Sequence, residues 1–76
     1  MQLEVRSVTV KHGSLFSMGW GVDMDGNFCQ FITHTGTAIR LDEELQKLGQ
    51  VDIMLQPWQL IKHGKGNAEK PKVTRA

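Results

Sequence analysis

Apolar positions near the start of the chain fall two apart and then slip. Leu3 and Val5 keep one phase, Val8 and Val10 keep the other, and Ser7 sits at the change. A two-residue period marks a half-buried strand, and a slip in it predicts a bulge or two short strands over residues 2–12. Charged Glu4, Arg6 and Lys11 suit the solvent side. Gly13-Ser14 breaks the run, and Leu15-Phe16-Ser17-Met18 leads into a second strand over 18–24. Asp25-Gly26 predicts a hairpin turn, because glycine accepts the positive φ such turns require. A third strand follows over 27–34, and Thr35-Gly36-Thr37 reads as a turn. Leu41, Leu45 and Leu48 then recur at helical spacing, with Asp42, Glu43 and Glu44 ahead and Lys47 behind. That order complements the helix dipole and predicts one short helix over 41–48, stopped by Gly49. Val51, Ile53 and Leu55 alternate as a fourth strand ending before Pro57. Trp58, Leu60 and Ile61 make a fifth short strand or its start. Gly64-Lys65-Gly66-Asn67 reads as a loop, and Lys70 to Ala76, with Val73 as its one large apolar residue, is expected to fray.

Short strands parted by glycine turns, with a helix between the third and fourth, predict an all-β fold. The expected form is a five-stranded oligonucleotide-binding-like β-barrel whose helix plugs one end. An SH3-like barrel fits the same pattern. A chain of 76 residues makes one domain, 1–76, near the lower size limit for folding on a hydrophobic core alone. An apolar content of 39% is enough for a small barrel and argues against wholesale disorder. Cys29, the single cysteine, has no partner for an internal disulfide and reads as a small buried residue. No run resembles a signal peptide or a membrane span, so a cytoplasmic location is expected.

Charge is unevenly placed. Residues 62–76 carry Lys62, Lys65, Lys70, Lys72 and Arg75 against Glu69, a net of +4. Residues 1–61 carry Arg6, Lys11, Arg40 and Lys47 against seven acids, a net of −3. A basic end on an acidic body points to a polyanion partner or to a solvated tail.

The aromatics supply the candidate chemistry. Trp20 lies between Gly19 and Gly21, and the next strand carries Phe28-Cys29-Gln30-Phe31. Aromatics on two adjacent strands either fill a core or form a platform on which bases stack. In the order of these motifs the chain resembles a divergent cold-shock domain, a single-stranded nucleic-acid binder of bacteria. Val10-Lys11-His12 stands where that family's V-K-W-F-N run begins, with His12 and Gly13 in place of its aromatics. Met18-Gly19-Trp20-Gly21 is similar to K-G-F-G, and Phe28-Cys29-Gln30-Phe31 is similar to F-V-H-F, with Gln30 for His. Leu48-Gly49-Gln50-Val51-Asp52-Ile53 resembles the family's L-x-x-G-Q-x-V-x-F segment, one residue shorter. Lys65-Gly66-Asn67-Ala68 resembles its K-G-x-x-A stretch. The order holds from residue 8 to residue 75. The hairpin loop is shorter than the family's, and two first-strand stacking aromatics are missing. Gly26-Asn27-Phe28-Cys29-Gln30-Phe31 also resembles, more weakly, a strand of primosomal-type single-stranded-DNA-binding proteins. Both resemblances imply single-stranded RNA or DNA as partner, with Lys11, His12, Phe16, Trp20, Phe28, Gln30, Phe31, His34 and Lys65 as the binding residues.

Which aromatics share a face depends on the hairpin register. A two-residue Asp25-Gly26 loop puts Trp20 opposite Phe31, and a three-residue loop including Asn27 puts it opposite Ile32. Trp20 is expected to be exposed, because glycine on both sides leaves its ring open. Trp58 is expected in the core or at the barrel rim. Phe16 either replaces a missing first-strand aromatic or packs beneath the chain. His12, His34 and His63 lie 22 and 29 residues apart, and Cys29 adds no C-x-x-C pattern, so spacing identifies no metal site and no cofactor is expected. No Ser-His-Asp, Cys-His or paired-carboxylate arrangement points to an enzyme. The expectation is a weak, non-specific binder of single strands. The rival is a protein-interaction module or homodimer that uses the same aromatics, since tryptophan is enriched in the energetic centres of interfaces.

Overall fold

The computed structural model describes residues 1–64. Five strands form one antiparallel sheet: β1 (Gln2–Thr9), β2 (Phe16–Val22), β3 (Phe28–His34), β4 (Val51–Met54) and β5 (Leu60–His63). Their order in space is β4-β1-β2-β3-β5, and one helix, α1 (Thr35–Leu48), lies between β3 and β4 in the chain. Among the described residues no ladder joins β4 to β5, so the sheet is open at that seam. No helix there is long and apolar enough to cross a membrane. The expected frayed end lies outside the described residues.

The slip in β1 is absorbed by a bulge. Val5 pairs with Gly21 and Ser7 with Trp20, leaving Arg6 as the extra residue. One inserted residue restores the phase, so Leu3, Val5 and Val8 all reach the core. That core is Leu3, Val5, Cys29, Phe31, Leu41 and Leu55, with Val8, Leu45, Val51, Ile53 and Leu60 packed around it.

Two glycines of β2 let its inner face pack closely on β1 and, at Gly19, on Phe31. A Cβ at Gly19 would lie 2.6 Å from the Ser7 carbonyl oxygen and 2.8 Å from the Phe31 ring. At Gly21 it would strike the Glu4 carbonyl oxygen. Both contacts involve the backbone of β1, which cannot swing aside as a side chain can. The glycines around Trp20 therefore serve the opposite face of the strand and do not act on the tryptophan ring.

The helix starts earlier than its leucine spacing predicts. Thr35-Gly36-Thr37 is its first turn, and no acid lies in that turn. Tertiary contacts set the start: the Thr35 amide donates to the Leu15 carbonyl at 2.9 Å, and its hydroxyl lies 2.8 Å from the buried Ser17 hydroxyl. Ala38, a turn ahead of Leu41, is fully buried and extends the apolar stripe back toward β3. Gly49 ends the helix as expected, in the left-handed region with its amide bonded to the Leu45 carbonyl.

Candidate nucleic-acid interface

The β2–β3 hairpin is built by a turn centred one residue ahead of the three-residue alternative. The Asp23 amide bonds to the Asn27 carbonyl and the Gly26 amide to the Asp23 carbonyl, each at 3.0 Å. Met24-Asp25-Gly26 is thus a three-residue loop, with Gly26 at φ +83° supplying the left-handed residue such loops need. The Asp23 side chain holds it, accepting from the Asp25 amide at 2.9 Å and the Asn27 amide at 2.8 Å. Trp20 consequently pairs with Gln30, and neither Phe31 nor Ile32 faces it.

This register divides the aromatics. Phe16, Met18, Trp20, Phe28, Gln30, Ile32 and His34 share the outer face, while Ser17, Gly19, Gly21, Cys29, Phe31 and Thr33 share the inner one. Phe31, expected to bind, is 0% exposed and sits in the core. Trp20 is half-buried, because its ring tilts against Phe28 at 5.7 Å between centroids. Trp58, expected in the core or at its rim, is 53% exposed. It sits in a 3₁₀ turn, Pro57–Gln59, whose buried member is Gln59. The Gln59 amide accepts from the Gln56 backbone at 2.8 Å and donates to the Ile32 carbonyl at 3.2 Å, so hydrogen bonding turns this residue inward and leaves Trp58 outside.

The outer face therefore carries aromatic groups at both ends. One is the Trp20–Phe28 pair. At the other, Phe16 stacks on His34 with centroids 5.1 Å apart, and Trp58 meets both rings edge-on at 6.2 and 5.6 Å. Between them runs an open groove of about 820 Å³, walled by Ser7, Thr9 and Lys11 of the first strand and loop, and floored by Met18, Trp20, Gln30 and Ile32. Among the described residues no carboxylate lines it. The acids Glu4, Asp23 and Asp52 instead border a separate depression beside the hairpin tip.

Two cations attend the groove. Lys11 lines it directly, and Lys62 pairs with Gln30 across β3 and β5, which places it on the same face. Among the described residues neither forms an ion pair, whereas Arg6 spends its charge on Glu4 at 3.4 Å. His12 is exposed in the β1–β2 connection and does not line the groove. Lys65 lies outside the described residues.

Alternation within β2 and β3 could have identified Met18 and Ile32 once the register was known. Trp58 and Lys62 carried no such signal, since both are brought in by the path of the chain after Pro57. A second group of side chains also converges without any sequence spacing: Asp23, Cys29 and His63 place their donor atoms within 4.8 Å of one another. Burial pushes the Cys29 thiol up to about 11, with the nearby Asp23 charge adding to it. Burial would likewise raise Asp23, but the Asn27 and Asp25 amides and His63 outweigh it and hold the carboxyl below its ordinary value. No family model matches the chain, and neither does any curated protein or solved structure with which it was compared.

Proposed function

We propose that this protein is a small oligonucleotide-binding barrel that holds single-stranded RNA or DNA on its outer face with little sequence preference. The strand order β4-β1-β2-β3-β5, with a helix between β3 and β4, supports the barrel reading. In that fold the face of strands two and three carries the ligand. The observation that carries the proposal is the groove on that face, with aromatic groups at both ends, Lys11 in its wall, Lys62 on the same face and, among the described residues, no carboxylate in its lining.

Each part has a physical task. Trp20 and Phe28 at one end, and Phe16, His34 and Trp58 at the other, offer ring faces and edges to bases. Each stacked base is worth roughly 1–3 kcal/mol whatever its identity. Met18 and Ile32 give an apolar floor between them, and the Gln30 amide can donate to or accept from a base edge. Lys11 and Lys62 meet phosphates, and a site with so few phosphate contacts has a shallow salt dependence, with a slope of about −0.7 per contact for a single strand. Phe31 has no part in it.

Titration of the intrinsic tryptophan fluorescence with oligo-dT, at two salt concentrations and beside a sizing run, tests the proposal. The expected result is saturable quenching of a monomer that weakens modestly as salt rises. An unquenched protein that elutes as a dimer would replace this reading with the interaction module.

A further inference from the structure

Beneath the acidic hairpin tip, three chain segments meet with chemistry the groove does not use. Asp23 comes from the end of β2, Cys29 from the inner face of β3 and His63 from the end of β5, and Cys29 and His63 are direct partners in the β3–β5 ladder. The two oxygens of Asp23 are differently engaged. Oδ1 is taken by the amides of Asp25 and Asn27, while Oδ2 lies 2.7 Å from His63 Nε2 and accepts a longer bond from Asn27 Nδ2 at 3.5 Å. Cys29 Sγ is fully buried, and its polar contacts are long: 3.7 Å to the Asn27 carbonyl oxygen and 4.0 Å to the Met1 thioether sulfur. A carboxylate, an imidazole and a thiol thus each bring one donor atom within 4.8 Å of the other two.

We infer that Asp23, Cys29 and His63 form a binding site for one thiophilic divalent cation of the zinc class. The donor set decides the metal. Thiolate and imidazole favour zinc-like ions over calcium or magnesium, which prefer all-oxygen shells. Three protein ligands leave the fourth tetrahedral position to water. Binding breaks the Cys29 S–H bond and releases that proton to solvent as the sulfur–metal bond forms. His63 gives up its hydrogen bond to Asp23. The Nε2 proton passes to solvent while Nδ1 carries the ring's remaining proton, Nε2 binds the metal through its lone pair, and no electron changes hands. Metal bonds of about 2.0–2.3 Å require Asp23 and His63 to part slightly. His63 is exposed at a strand end and can supply that movement. The ion would pin the hairpin tip to β3 and β5, directly behind Phe28.

Cobalt(II), titrated into the chelator-treated full chain, is the probe. One equivalent should produce thiolate-to-cobalt charge-transfer absorption together with the strong visible bands of a tetrahedral site, and zinc should displace both. Cys29→Ala should abolish the charge-transfer band. His63→Gln changes an exposed side chain; the variant, once circular dichroism verifies its fold, should bind about tenfold or more weakly. The double substitution His12→Gln with His34→Gln should change neither band nor affinity. A wild-type chain that gives no charge-transfer band with stoichiometric cobalt overturns the assignment. So does a band that survives His63→Gln at full affinity.

Discussion

The inner and outer faces of the β2–β3 hairpin are made by alternate residues of the same two strands, yet they obey different rules. Inside, space is so short that β2 carries Ser17, Gly19 and Gly21: the Phe31 ring lies against Gly19, and the Glu4 backbone lies against Gly21. Outside, Phe16, Trp20 and Phe28 sit on a face where folding asks for no aromatic. These rings pack partly on one another, Trp20 against Phe28 and Phe16 against His34, and the proposed function gives their remaining faces a stacking ligand. The contrast also assigns the glycines. They are demanded by the inner face, and the platform above them is independent of their conformational freedom.

The strongest attack on this division is at its inner side. Phe31→Ala should destabilise the fold by about 3–5 kcal/mol, the range for truncating a buried aromatic. Chemical denaturation would read this as a large drop in midpoint. Gly21→Ala should cost about 3 kcal/mol, because its methyl group meets the Glu4 backbone and the two strands must part. A Gly21→Ala variant as stable as the parent would mean that the β1 bulge gives way easily, and the close-packing account of the inner face would fail.

Smaller effects sharpen the boundary between the faces. The folded-state pKa of Asp23 lies below its ordinary 3.8, held there by amides and His63 against the effect of burial. Ionised Asp23 therefore stabilises the fold above that ordinary value, and the contribution is lost as pH falls through the lower, folded-state value. Melting followed through this acid range, with chelator present, should show a decline that Asp23→Asn partly flattens. Trp58→Ala should cost less than about 1 kcal/mol, since the ring is half exposed and its packing is edge-on. A loss of several kcal/mol there would restore the core role that its place after a buried-looking strand implies.

These contrasts also explain what could be read from the sequence. The irregularity in β1 was legible, as a bulge or a break into two short strands, because Leu3, Val5, Val8 and Val10 can share a face only with one residue inserted, and the pairing with β2 shows the bulge. Gly49 was legible as a helix stop because its chemistry is local. The start of α1 was not: Thr35-Gly36-Thr37 has the composition of a turn, and it becomes helix through its bonds to Leu15 and Ser17. The assignment of Phe31 failed for a related reason. Which ring of the Phe28–Phe31 run faces outward depends on a one-residue choice of loop, and the Asp23 carboxylate makes that choice by accepting from the Asp25 amide within the loop and the Asn27 amide just after it. Trp58 was misjudged because Gln59, a residue that normally favours the surface, satisfies both ends of its amide inside. Long-range partners decided the helix start and helped to turn Gln59 inward, through Leu15, Ser17 and Ile32, whereas the loop was chosen locally by side-chain bonds that composition alone does not reveal.

The most direct test of the division is the affinity of Trp20→Ala for a fluorescently labelled oligo-dT, measured by anisotropy beside a melting curve. The account predicts a binding loss of roughly 1–3 kcal/mol, about 5- to 150-fold. The same variant should lose only about 1 kcal/mol of stability, the scale of the one aromatic pair it gives up. A folded Trp20→Ala protein that binds oligo-dT as tightly as the parent would contradict the account.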